Sequence, residues 1–168
     1  MESLRSKISL SLKQEPQLLP SEMAEKFGIS ELEILQEFPK DTVTIVDGSH
    51  AEMLLTEIAG WKTNVTSIMQ LGGSIFEVKA ILPVGKKSMG YFNLMGQPGQ
   101  LQGHLKLENI SKVCFVSKPF MGKESHYFGF IDNNGNTIFK IYLGRDEQRR
   151  LLLPQIKAFK ELKEKLAN

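Results

Sequence analysis

Residues 124–143 read ESHYFGFIDNNGNTIFKIYL, and this stretch decides the fold. Two runs rich in Phe, Tyr and Ile flank a polar centre containing Asn134-Gly135, the dipeptide best suited to a tight hairpin turn. The pattern predicts a strand over Glu124 to Ile131, a reversal, and a second strand over 136–143 beside it. Upstream the same grammar continues. Ile110 to Ser117, Leu101 to Leu107 and Ser88 to Leu94 are further strand candidates. Between Gly73 and Leu82, Phe76, Val78 and Ala80 alternate with Glu77 and Lys79, which buries one face and wets the other. Pro83-Val84-Gly85-Lys86 and Gly96-Gln97-Pro98-Gly99 carry turn chemistry. Connections this short join antiparallel neighbours, because parallel pairs need a long crossover.

Before Trp61 the period is helical. Leu4, Ile8 and Leu12 share one face of a helix that ends near Glu15-Pro16. Ser21 is the expected N-cap of a second helix and Gly28 its stop. Ser30 and Glu33 form a capping-box signature ahead of Leu32, Leu35 and Phe38, and Pro39 closes that helix. Ser49 and Glu52 repeat the signature before Met53, Leu54 and Ile58. At the other end, Asp146 to Leu166 reads as a helix that Pro154 bends or divides. The expected architecture is a single α+β domain over 1–168: N-terminal helices in 1–60, a large antiparallel β-sheet of about seven strands in 61–145, and a C-terminal helix in 146–168.

Composition narrows the function. Apolar residues make up 41% and charged residues 24%, so the chain can bury a core. Lys and Arg total 21 against 19 Asp and Glu, a net charge of +2 that argues against bulk binding to nucleic acid or anionic membrane. No long apolar run follows the opening MESLRSK, and none in the chain approaches the roughly 20 residues of a membrane span. A cytoplasmic protein is expected. Cys114, the single cysteine, sits in the apolar run Val113-Cys114-Phe115-Val116 and reads as a buried hydrophobe. Nucleotide-binding glycine motifs, GxSxG and HExxH are missing, and His50, His104 and His126 lack metal-ligand spacing. The second and third helices have helix-turn-helix spacing, but Glu31, Glu33 and Glu37 would meet phosphate with like charge. A packed helical hairpin is the better reading.

Strand alternation puts Met89, Tyr91 and Asn93 on one face, beside a turn bearing Lys86 and Lys87. Four motifs follow in order: Tyr91-Phe92-Asn93-Leu94; Gly103-His104-Leu105-Lys106-Leu107-Glu108-Asn109; Lys118-Pro119-Phe120-Met121-Gly122; and Phe139-Lys140-Ile141-Tyr142-Leu143-Gly144-Arg145-Asp146. With Asn64-Val65-Thr66 after Trp61, they make the chain similar to the HutX/ChuX group of intracellular haem-utilisation proteins over nearly its whole length.

The resemblance implies a saddle-shaped antiparallel sheet like one half of the longer HemS/ChuS-type proteins, assembled as a homodimer. It implies a cytoplasmic carrier of ferric haem b that passes its cargo to a downstream haem-degrading enzyme. The alternative it leaves is a haem-degrading or tetrapyrrole-modifying enzyme. Relatives of a bis-histidine type carry one histidine in the strand after Trp61 and one in the Gly-His motif; here those positions are Met69 and His104. Tyr91 is then the natural iron ligand, since tyrosinate is a known haem ligand whose hard oxygen suits ferric iron. His104 is a candidate second ligand, and Met69 a further one. Lys86, Lys87 and Lys106 are candidates for the haem propionates.

Overall fold

The computed structural model describes residues 1–167. Three short helices open the chain: α1 (Leu4–Gln14), α2 (Pro20–Phe27) and α3 (Glu31–Leu35). They bury Ile8, Met23, Ala24 and Ile34 against one another, as the expected helical hairpin would. The Ser30–Glu33 box forms as predicted, with Ser30 Oγ accepting from the Glu33 amide and Glu33 accepting from the Ser30 amide. Helix α2 begins two residues earlier than expected. Pro20 takes the first turn, where its missing N–H costs nothing, and Leu19 rather than Ser21 is the cap.

Two sheets follow, not one. The larger has six strands in the order β1 (Val43–Asp47), β7 (Lys112–Ser117), β8 (His126–Ile131), β9 (Thr137–Tyr142), β2 (Asn64–Leu71) and β3 (Ser74–Ile81). Every pairing is antiparallel. The smaller sheet has β4 (Gly85–Ser88), β5 (Tyr91–Leu94) and β6 (Gly103–Leu105). Strand β1 falls inside the stretch expected to be wholly helical. Helix α4 (Ala51–Gly60) follows it, and α5 (Leu153–Leu166) closes the chain. The C-terminal helix is therefore shorter than the 146–168 expected: Pro154 starts it instead of bending it, and 146–150 is a turn held by the Asp146 carboxylate. Asn168 lies outside the described residues.

Alternation explains the layering. On one face of the large sheet Val113, Phe115, Phe128, Phe130, Phe139 and Ile141 pack against α4, α5 and the inner face of the small sheet through Phe92 and Leu94. On the other face Cys114, Val116, Tyr127 and Ile131 pack against Leu35 of α3. Strand β8 is buried at every position because both of its faces are covered, which is why its sequence after His126 carries no polar side chain but the Tyr127 hydroxyl. The β8–β9 reversal at Asn134-Gly135 forms where expected. Asp132 Oδ1 accepts from the Asn134 and Asn136 amides, and Gly135 takes φ 83°.

Candidate functional site

The small sheet presents the site. Its first hairpin turns at Met89-Gly90, with φ 54° and 82°, so the expected turn at Pro83–Lys86 lies too early and Ser88–Leu94 is not one strand. Gly85 lets β4 approach β5 closely: a Cβ there would overlap the Phe92 ring. The register opposes Ser88 to Tyr91, Lys86 to Asn93, and Asn93 to His104. Directly opposed residues share a face. Phe92 and Leu94 enter the core, so Lys86, Ser88, Tyr91, Asn93 and His104 occupy the outer face.

Tyr91 is 42% exposed. Its ring meets that of His104 edge-on, centroids 6.0 Å apart, and Lys106 Nζ lies 4.9 Å from the Tyr91 ring centroid. Lys106 also approaches Glu108 Oε1 at 3.5 Å. His104 Nδ1 is 2.5 Å from Asn93 Oδ1. Beside Tyr91 opens a hollow of about 410 Å³ lined by Lys87, Ser88, Met89, Phe92, Leu107 and Glu108. A half-exposed phenol, an imidazole and an ammonium thus share one wall open to solvent, an arrangement suited to an anionic, metal-bearing planar ligand.

The structure brings Tyr91, His104, Lys106 and Lys86 to this one face. It separates two other expected residues from it. Lys87 opposes Phe92, on the other face of the hairpin, and its Nζ pairs with Glu52 Oε2 of α4 at 2.8 Å. Met69 belongs to the large sheet, opposite Phe76, and packs against the core. Asn93 is the residue that sequence reasoning placed on the face without a role; period 2 located it, but only the register shows it holding His104.

The other two motifs meet elsewhere. Phe120, Met121 and Lys123 join Gly144, Arg145 and Arg149 around a groove of about 740 Å³ on the opposite face of the large sheet. Arg145 is spent on backbone, donating to the carbonyls of Glu124 at 2.5 Å and Arg149 at 3.2 Å. Nearby, Ser117 Oγ, His126 and Glu124 form a chain of hydrogen bonds, 2.7 Å to Nδ1 and 2.5 Å from Nε2. His126 is buried against Phe159, so this chain ties β7 to β8 rather than exposing a nucleophile. Cys114 is equally inert: burial pushes its thiol up to about 12.

Comparison with known proteins agrees with the four motifs. The family model for haem utilisation ChuX/HutX matches residues 44–162. The chain belongs to the ChuX/HutX family. The intracellular heme transport protein HutX of Vibrio cholerae is 53% identical over 164 residues, spanning 98% of this chain and 84% of that protein. A solved structure of the heme-binding protein ChuX superposes with a TM-score of 0.84 at 32% identity, covering 96% of this chain and 99% of that chain. A crystal structure of an Erwinia carotovora protein gives 0.89 at 31%, over 99% of each chain. PhuS of Pseudomonas aeruginosa shares the fold alone, at TM-score 0.73 and 15% identity; this chain spans 99% of itself but 48% of PhuS. No helix among the described residues is long and apolar enough to cross a membrane.

Proposed function

We propose that this protein is a non-enzymatic carrier of ferric haem b in the cytoplasm, with Tyr91 as its principal iron ligand. The observation that carries the reading is the wall itself: a phenol 42% exposed, with His104 at its edge and Lys106 4.9 Å from its ring. The relatives named as heme transport and heme-binding proteins support it.

The residues fit the group. A ferric haem supplies a hard iron centre for one phenolate oxygen and two carboxylates for cations. Tyr91 supplies that oxygen from a rigid strand. Lys106 and Lys86 supply positive charge on the same face, whereas Lys87 is turned to the other face and paired with Glu52. His104 stands beside Tyr91 as second ligand or hydrogen-bond partner, whereas Met69 is held away in the large sheet. A single oxygen–iron bond on an open wall suits release: an acceptor offering an imidazole competes for one bond, not for an enclosed pocket. The acceptor in this reading is a haem-degrading enzyme. Tyrosinate also disfavours the ferrous state that oxygen chemistry needs, which is why the chain itself is read as a carrier.

Hemin titration tests this. Wild-type protein is expected to give a saturable ferric Soret band, and Tyr91→Phe to shift the band and weaken binding at least tenfold, about 1.4 kcal/mol. An unchanged band and affinity in that variant would remove Tyr91 from the site. Incubating the complex with reductant and oxygen separates carrier from enzyme: the haem band persists for a carrier and disappears for an oxygenase.

We further propose that the functional unit is a homodimer. Strand β3 is an outer edge of the large sheet and leaves Ile75 and Phe76 more than half exposed, a surface a second copy would cover. The doubled length of PhuS and ChuS, of each of which this chain spans 48%, supports two such units acting together.

A further inference from the structure

The outer face contains a hydrogen-bond arrangement that settles which nitrogen of His104 is free. The Asn93 amide NH2 donates toward three backbone carbonyls of its own hairpin, Lys86 at 3.0 Å, Ser88 at 3.3 Å and Tyr91 at 3.4 Å. Turning the amide over would place its oxygen against those three acceptors, so its orientation is fixed by the backbone. The remaining atom, Asn93 Oδ1, can only accept, and it lies 2.5 Å from His104 Nδ1. That nitrogen must therefore carry hydrogen, in the neutral ring as in the cation. The lone pair of neutral His104 is then on Nε2.

We infer that Asn93 is a positioning residue of the haem site, locking His104 in the Nδ1–H tautomer so that Nε2 is the one basic nitrogen offered beside Tyr91. The inference rests on the carrier reading for its consequence, though not for the tautomer. Its logic is that of outer-shell partners at metal sites: a histidine that acts on a metal, or takes a proton from its ligand, needs its second nitrogen tied down. Here the tie runs from the hairpin backbone through one amide to the imidazole. The device couples the shape of the β4–β5 turn to the chemistry of the face, because the same Asn93 side chain bridges the two. With Asn93 gone, His104 is free to rotate and to populate the Nε2–H form, in which no lone pair points the same way.

Long-range ¹⁵N–¹H correlation spectra of the histidines in the haem-free protein test the tautomer directly. The wild type is expected to show neutral His104 with a protonated Nδ1 and an unprotonated Nε2. In Asn93→Ala the two nitrogens are expected to move toward averaged shifts. The backbone amide spectrum of each variant reports that the hairpin is still folded. An Nε2–H tautomer in the wild type, or an unchanged His104 pattern in folded Asn93→Ala, would overturn the inference. Asn93→Ala is expected to bind hemin about 10–100-fold more weakly, and Asn93→Ala/His104→Ala no more weakly than His104→Ala alone. Additive effects in that double variant would also overturn it. If the wild type binds no hemin at all, the carrier reading fails while the nitrogen spectra still decide the tautomer.

Discussion

At the scale of single residues, acid sensitivity is written into three carboxylates. The hydrogen bond from His126 holds Glu124 below the usual Glu range. The Arg150 amide does the same for Asp146, with further help from the Arg150 side chain and the Gln148 amide. The Ser49 hydroxyl and amide lower Asp47. A carboxylate whose folded pKa lies below its unfolded value adds stability above the unfolded value, near 4, and loses it as pH falls through the folded one. The contribution of these three carboxylates is therefore expected to be flat from pH 7 to about 5 and to fall below that. Asp146→Asn is expected to flatten part of the fall in urea titrations at graded pH. An unchanged slope in that variant would show that the turn at 146–150 contributes nothing to the pH dependence.

Elements show which features can be read before folding and which cannot. The β8–β9 hairpin was legible because turn chemistry and alternation agree at Asn134-Gly135. Helix α3 was legible because Ser30 and Glu33 make a reciprocal cap within four residues. Strand β1 was not: Val43-Thr44-Ile45-Val46 is short, and its partner β7 lies about 70 residues away in sequence, a pairing no local pattern announces. The face of Tyr91 followed from period 2, but Met69 was attached to it by resemblance and lies in a different sheet. The break at Met89 was hidden because Met rarely takes positive φ. At 54° an L-residue with a side chain costs about 1–2 kcal/mol relative to a residue that tolerates the region. Met89 is 94% exposed, so Met89→Asn should relieve part of that cost, about 1 kcal/mol, without opening the core and raise Tm by about 2–4 °C. A lower Tm would mean that the methionine makes contacts worth more than its strain.

A second element-scale prediction concerns how α3 docks on the large sheet. Lys140 of β9 and Glu31 of α3 are both buried, with Nζ 3.1 Å from Oε1, an ion pair by distance rather than an aligned hydrogen bond. Thr137 Oγ1 donates to the other oxygen at 2.7 Å. Removing one charge strands the other, so Lys140→Met is expected to cost about 3–5 kcal/mol in chemical denaturation. Replacing both, with Glu31→Gln added, should recover most of it. Equal losses in the single and double variants would contradict a coupled pair.

On the scale of the whole molecule, the two layers divide the labour. The large sheet packs against α3 on part of one face and against α4, α5 and the small sheet on the other, and the outer wall of the small sheet is turned away from that core. The core thus holds Tyr91, Asn93 and His104 in register on a wall open to solvent. Sedimentation at micromolar concentration is expected to give twice the monomer mass, and Phe76→Lys to shift it toward monomer. A wild-type monomer would contradict the dimer.

The central claim is a phenolate oxygen on ferric iron. Resonance Raman spectra of the hemin complex, excited in the phenolate-to-iron charge-transfer region, test it most directly. Phenolate ring modes should be present in the wild type and absent in Tyr91→Phe. A wild-type spectrum without them, or the same modes surviving in Tyr91→Phe, would contradict it.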